Sequence, residues 1–191
     1  MYKIDFNNPI HIHFIGIGGI SMSGLAKILL SKGFTISGSD SHSSALTDEL
    51  IGDGCLVSVP QSASNITNDI DLVVYTAAIH PDNPEFKAAK EAGLPMLTRA
   101  ELLGQIMTVY KNAINIAGTH GKTTTTSMVS EILLAASMDP TISVGGILNS
   151  IGGNTRVGGN KYFVAEACEY TNSFLSFNPT MNIILNVKED H

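Results

Sequence analysis

A chain of 191 residues, 43% hydrophobic and 15% charged, has the composition of an ordinary globular protein and the length for one large or two small domains. Its formal net charge of −6 argues against a nucleic-acid-binding face, so any phosphate-bearing partner must be held locally, by loops. The two cysteines, Cys55 and Cys168, lack metal-type spacing, and no apolar run is long enough for membrane insertion. With no signal-peptide core after Met1, these features point to a cytoplasmic protein.

The first organised unit runs from Ile10 to Asp40. His11–Ile17 reads as a buried strand, Gly16–Ser21 as a tight turn, and Met22, Leu25, Ala26, Leu29 and Leu30 as one face of a helix that Gly33 ends. Phe34–Ser39 is then a second strand closing on Asp40, an acid placed where a ribose hydroxyl could be bound. The third glycine of a dinucleotide fingerprint falls on Ser21, so the turn supports an anion site for some nucleotide better than a site for NAD. The competing reading is that these glycines serve only tight strand–helix packing. His11 and His13 share a strand face and are expected to be a partly buried polar pair at the sheet edge, not metal ligands.

The alternation continues through the middle of the chain. Ala45–Ile51 reads as a short helix, Cys55–Val59 as a strand, 61–69 as a polar connection and Asp71–Thr76 as a strand. That strand leads to Ala77-Ala78-Ile79-His80 at the carboxyl edge of a parallel sheet, where ligands of such sheets sit. A helix opens at Asp82-Asn83-Pro84-Glu85 and stops at Gly93, and Thr98-Arg99-Ala100-Glu101 forms a capping box for a helix over 99–108. A new series begins directly afterwards. The expected domains are therefore 1–108 and 109–191.

The second series starts with a nearly uncharged strand, Ala113–Ala117, followed by Gly118-Thr119-His120-Gly121-Lys122-Thr123 and a helix over 123–136 whose apolar face is Met128, Val129, Ile132, Leu133 and Ala136. The strict phosphate-loop pattern would require glycine at 116, where the chain has Ile116, but the shorter form keeps both glycines, the lysine and the hydroxyl. Glycines admit a polyphosphate close to the backbone, and the helix N-terminus adds amide donors and a positive dipole end. Lys122 supplies a point charge, and the Thr123 hydroxyl a hard oxygen ligand for Mg2+. Farther on come a strand over 141–144, a glycine-rich loop over 145–154, and buried strands over 161–167 and 181–187. Glu166 interrupts an apolar strand, and a carboxylate there is costly to bury unless it is paired or bound to a cation. It is the natural metal partner of Thr123, the alternative being an edge carboxylate facing water. His191 follows a strand end directly.

Taken together, His13–Gly24, Ser37–Asp40, Asp82–Glu85, Arg99–Glu101, Ala117–Thr124, Gly145-Gly146 with Leu148-Asn149, Val164–Ala167 and Asp190-His191 resemble, in order and spacing, the Mur ligase family of peptidoglycan synthesis. The resemblance implies an α/β protein with a Rossmann-like, parallel-sheet N-terminal domain that binds a UDP-sugar, followed by a P-loop ATP-binding central domain that this chain leaves incomplete. It also implies an ATP-dependent ligase that activates the lactoyl carboxylate of UDP-N-acetylmuramate as an acyl phosphate for attack by L-alanine, with ATP and Mg2+ as cofactors. Carried over by position, Gly118, Thr119, Gly121, Lys122, Thr123 and Thr124 hold ATP, and Thr123 and Glu166 ligate one Mg2+. His191 belongs to a second metal site, and His120 lies near the reacting carboxylate. Gly16, Gly18, Gly19, Ser21, Met22, Ser23 and Arg99 lie on the UDP-sugar side, with Asp40 and Thr76, Ala77, Ala78 and Ile79 around the nucleoside. The chain departs from the family pattern at Ser21, at Cys168-Glu169-Tyr170 and at Lys188.

Two phosphate-cradling loops fit one nucleotide each, as joining an amine to an unactivated carboxylate requires phosphoryl transfer. The alternatives are a related ligase that attaches a whole peptide, a nicotinamide-dependent oxidoreductase built on 16–40, and a UDP-sugar-binding module without turnover. An incomplete central domain is expected to be inactive alone and to lean on a neighbouring copy.

Overall fold

The computed structural model describes residues 2–167 and 175–187, so the expectations at Cys168, Glu169, Tyr170, Lys188 and His191 lie outside the described residues. The chain forms two compact units, 1–102 and 103–191.

In the first unit β1 (His11–Ile15), β2 (Thr35–Ser39), β3 (Leu56–Ser58), β4 (Leu72–Tyr75) and β5 (Met96–Thr98) make one sheet in the order β3-β2-β1-β4-β5. All four pairings are parallel. The connections carry α1 (Ile20–Ser31), α2 (Ala45–Gly52), α3 (Pro84–Glu91) and, leaving β5, α4 (Arg99–Met107). A sheet buried on both faces needs apolar residues of both parities: Ile12 and Phe14 point one way and Ile15 the other, and all three are fully buried. Truncating one of them to alanine would cost on the order of 2–5 kcal/mol through lost transfer energy and the cavity left behind. Gly33, at φ +87°, ends α1 as the sequence predicts. At the start of α4 the expected capping box forms, with Glu101 Oε2 accepting from the Thr98 amide at 2.7 Å and Thr98 Oγ1 from the Glu101 amide at 3.2 Å. Because the strand order reverses between β1 and β4, the loops after these two strands part and leave a crevice at the sheet's carboxyl edge.

The histidine pair departs from expectation. β1 is the central strand, not an edge, and His11 and His13 are buried, at 9% and 1% exposure. Burial is tolerated because partners distant in sequence satisfy the rings: Asp69, Ser37 and Glu85. Glu85 is fully buried in the first turn of α3. Desolvation pushes its carboxyl up, but hydrogen bonds from His13, Ser39 and Asn65 outweigh that and hold it below the ordinary glutamate value. A depressed carboxyl contributes stability above its unfolded pKa and loses it as pH falls through the folded one. Urea unfolding of the first unit, followed from neutral pH into the acid range below 4.5, is therefore expected to show a progressive loss of stability that Glu85→Gln flattens. A slope identical in the variant would show that other groups carry it.

In the second unit β6 (Asn112–Ala117), β7 (Thr141–Leu148), β8 (Gly153–Arg156), β9 (Tyr162–Glu166) and β10 (Met181–Ile184) pair in the order β10-β6-β9-β7-β8. Among the described residues only the β7–β8 contact is antiparallel. The expected glycine-rich loop is thus mostly strand: β7 runs through Gly145 and Gly146 to Leu148, and β8 returns beside it. β10 is exposed where a buried strand was expected, with Met181 and Ile184 at 52% and 66%; among the described residues it is an edge, paired to β6 alone.

α5 (Lys122–Ala135) covers β6 and β9 with a different face from the one its apolar pattern indicates. Val129 and Leu133 pack inward, but so do the buried Thr126 and Ser130, while Met128 and Ile132 stand exposed. The hydroxyls of Thr126 and Ser130 donate to the carbonyls of Lys122 and Thr126 at 2.8 and 2.7 Å. Satisfied within the helix, these small side chains enter the interface at little cost.

Candidate functional site

The second unit builds a phosphate loop between β6 and α5. Gly118 has φ +145°, and a Cβ there would lie 3.1 Å from Leu185 Cβ and 3.2 Å from the Asn186 nitrogen, so both conformation and space require glycine. Gly121, at φ +85°, is the N-cap of α5. The loop backbone is pinned from outside: Asn186 Oδ1 accepts from the His120 amide at 3.0 Å, and Asn186 Nδ2 donates to the His120 carbonyl at 2.9 Å. The imidazole of His120 is thereby left at the surface on a fixed stretch of backbone. Asn186 is a support of the loop that sequence reasoning missed, because its partner is 66 residues away.

Lys122 curls over the loop, its Nζ donating to the carbonyls of Gly118 at 2.6 Å and Thr119 at 3.2 Å. Its charge is thus held at the mouth of the loop, beside the first turn of α5, where helix geometry gives the amides of Thr123 and Thr124 no carbonyl one turn earlier. Glu166, at the carboxyl end of β9, reaches Thr123, whose Oγ1 donates to Oε1 at 2.9 Å. The other carboxylate oxygen accepts from the Gly145 amide at 2.8 Å. A hydroxyl and a carboxylate converging on one point are the hard oxygen donors Mg2+ selects, so these residues fit the ion. Among the described residues no group of three or more histidine, cysteine, aspartate or glutamate side chains could hold a metal. Gly145 is a second residue the sequence reading placed only in a loop. A Cβ on it would sit 2.6 Å from Glu166 Oε2.

In the first unit the Gly16–Gly19 turn is tied to the end of β2. The amides of Gly16 and Ile17 donate to the Ser39 carbonyl at 2.8 and 2.9 Å, and the Gly18 amide donates to Asp40 Oδ2 at 2.9 Å. The Gly18 amide is occupied by Asp40, whose carboxylate also accepts from the Ser41 amide at 2.7 Å. The side chains of Met22 and Ser23 are buried, and Ser23 Oγ donates to the Ile20 carbonyl at 3.0 Å, so their hydrophobic and hydroxyl groups face inward. The donors left at this end are the first-turn amides of α1 at Ser21 and Met22. Beside them Arg99 donates to Ser21 Oγ at 3.1 Å, so the serine at the third-glycine position supports a guanidinium suited to phosphate. Thr76–Ile79 forms the turn after β4 on the other side of the crevice, with Ile79 Cδ1 3.7 Å from where a Cβ on Gly16 would lie.

Models of two successive domains match in register with this geometry: "Mur ligase family, catalytic domain" over 11–111 and "Mur ligase middle domain" over 116–191. The chain belongs to the Mur ligase family. A UDP-N-acetylmuramate–L-alanine ligase of Lachnospira eligens is 97% identical over 191 residues, the whole of this chain and 42% of that protein. One from Agathobacter rectalis is 72% identical over the same span. Among solved structures, a UDP-N-acetylmuramate-alanine ligase from Thermotoga maritima superposes with TM-score 0.83 at 37% identity, covering 92% of this chain and 41% of that one. A UDP-N-acetylmuramate:L-alanyl-gamma-D-glutamyl-meso-diaminopimelate ligase from Neisseria meningitides gives TM-score 0.85 at 28% identity, over 96% of this chain and 62% of that one. This Mur ligase chain therefore spans about two fifths of the length of the curated relatives it matches. Among its described residues no helix is long and apolar enough to cross a membrane.

Proposed function

We propose that this chain supplies the UDP-sugar-binding domain, 1–108, and the beginning of the ATP-binding domain, 109–191, of a cytoplasmic ligase that joins L-alanine to the lactoyl carboxylate of UDP-N-acetylmuramate. The observation that carries the reading is the Thr123–Glu166 contact beside the Lys122 loop, since a phosphate loop completed by a strand carboxylate serves ATP and not a nicotinamide. The 97% identity to a protein named for L-alanine favours it over the peptide as the incoming group.

In this reading the backbone of 118–124 wraps the ATP phosphates while Lys122 offsets the charge that develops as the γ-phosphoryl group moves to the carboxylate. Mg2+, when bound, neutralises phosphate charge and fixes the phosphoryl oxygens. Thr123 and Glu166 would supply two of its ligands, and Gly145 keeps the Glu166 carboxylate on station. In the first unit Arg99 and the amides of Ser21 and Met22 hold the UDP-sugar diphosphate, while Thr76–Ile79 lines the nucleoside side of the crevice.

Titrating UDP-N-acetylmuramate, ATP and NAD separately into the chain by calorimetry tests this. The sugar nucleotide is expected to bind, and NAD binding tighter than both others would overturn the ligase reading. In the full-length ligase Gly145→Ala is expected to raise the Mg2+ concentration for half-maximal rate severalfold, since a Cβ 2.6 Å from Oε2 forces the carboxylate aside. An unchanged Mg2+ dependence would detach Gly145 from the metal site.

A further inference from the structure

Beneath the glycine turn runs a continuous line of side-chain hydrogen bonds that the proposed reaction does not use. His11 Nδ1 lies 3.0 Å from Asp69 Oδ2 and 3.2 Å from the Asp69 carbonyl oxygen. Both are acceptors, so this nitrogen carries hydrogen. His11 Nε2 is 2.7 Å from Ser37 Oγ, the same hydroxyl is 2.9 Å from His13 Nδ1, and His13 Nε2 is 3.4 Å from Glu85 Oε2. Glu85 also accepts from Ser39 Oγ, from the Ser62 amide at 3.2 Å and from Asn65 Nδ2 at 2.6 Å. Three fixed donors converge on it beside the His13 ring nitrogen, as on an ionised carboxylate.

Counting protons exposes a deficit. If both rings are neutral, His11 bears its hydrogen on Nδ1 toward Asp69 and His13 bears its own on Nε2 toward Glu85. His11 Nε2 and His13 Nδ1 then both present lone pairs to Ser37, whose hydroxyl has one hydrogen to give. One ring nitrogen would face an oxygen lone pair at hydrogen-bond distance in a buried site, which is costly. One additional proton removes the conflict: His13 donates through both nitrogens, to Ser37 Oγ and to Glu85, and Ser37 donates to His11.

We propose that the Asp69–His11–Ser37–His13–Glu85 relay holds one proton more than two neutral rings and a carboxylate carry, seated between His13 and Glu85, and that this makes Glu85 a positioning residue for the UDP-sugar turn. The positioning half rests on the reading of 16–21 as the UDP-sugar turn. The route of action is short. Glu85 fixes Ser39 by its hydroxyl, the Ser39 carbonyl holds the amides of Gly16 and Ile17, and the next residue, Asp40, holds that of Gly18. The groups facing the relay are Asp69 and Asp71 from the segment before β4, Asp71 Oδ2 accepting from the His11 amide at 2.9 Å, and Tyr75 on the same face of β4. β2 and the 62–65 turn contribute the neutral Ser37, Ser39, Ser62 and Asn65. Glu85 and Ser39 are wholly buried, and Asp69 is the relay's exposed end, at 71%, where the proton exchanges with water.

Nitrogen-edited NMR of the histidine rings in the intact chain tests this without ligand. Near neutral pH His11 is expected to be neutral with hydrogen on Nδ1 and His13 to be protonated on both nitrogens. Glu85→Gln is expected to neutralise His13 at neutral pH, move the Gly16 and Ile17 amides, and weaken UDP-N-acetylmuramate binding about tenfold, the scale of one hydrogen bond to a charged group. Ser37→Ala leaves Glu85 in place and is expected to uncouple the two rings, which decides the relay even if the glutamine variant folds poorly. Two neutral rings in the unaltered chain at neutral pH would overturn the relay, and Gly16 and Ile17 amides unmoved by Glu85→Gln would overturn the positioning role. If the unaltered chain fails to bind UDP-N-acetylmuramate at any pH, the UDP-sugar reading falls, while the ring and amide measurements still decide the relay.

Discussion

Replacing Lys122 by alanine in the full-length ligase is expected to lower turnover by on the order of 100-fold or more while leaving UDP-N-acetylmuramate affinity nearly unchanged. The magnitude follows from the loss of one preorganised charge in a site where catalysis is mostly positioning and charge stabilisation. The selectivity follows from the fold, since Lys122 and its carbonyl partners belong to the second compact unit and the glycine turn to the first. Structure should survive the change, as water can reach the Gly118 and Thr119 carbonyls that the half-buried lysine head bonds. Arginine is not expected to rescue, because a planar fork cannot replace a compact ammonium 2.6 Å from the Gly118 oxygen. Turnover equal to the unaltered enzyme's would refute the assignment of the loop to ATP.

What the sequence made legible is what short-range chemistry determines. The βαβ unit at 11–39, the capping box at 98–101 and the strand–loop–helix at 112–135 each rest on periodicity or on residues within one helical turn. The expectations that changed depend on distant partners. Two histidines on one strand face look like an edge pair until Ser37, Asp69 and Glu85, 24 to 72 residues away, supply their hydrogen bonds. Arg99 and Ser21 meet across 78 residues, and no spacing rule links them. Gly145 and Gly146 read as loop because glycine is poor in strands, yet Gly145 lies in β7, where only hydrogen fits against the Glu166 carboxylate. β5 and β8, of 3 and 4 residues, are too short for an alternating pattern to register. The inward face of α5 was hidden for another reason: hydrophobicity does not record that Thr126 and Ser130 satisfy their own hydroxyls.

Gly18→Val is expected to abolish measurable UDP-N-acetylmuramate binding, a loss on the order of 100-fold or more, while the ATP loop is unaffected. A Cβ on Gly18 would stand 2.8 Å from Asp40 Oδ2 and 3.0 Å from Thr47 Cγ2. The first distance excludes the native arrangement, and the second closes the obvious retreat, because Thr47 is buried in α2 and its hydroxyl is tied to the Ser44 backbone at 2.8 Å on both sides. Something must move, and the least constrained element is the turn itself, so the Gly18 amide would lose Asp40 and the branched side chain would project toward the first turn of α1. That is where Arg99 and the amides of Ser21 and Met22 are placed to take a diphosphate. Asp40→Asn separates the two effects. It keeps an oxygen for the Gly18 amide, loses the acceptor that the exposed Ser41 amide uses, and removes the charge, so it is expected to leave the turn in place and bind far better than the valine variant. Calorimetry on both variants reads the difference directly, and unaltered affinity in Gly18→Val would remove this turn from the UDP-sugar site.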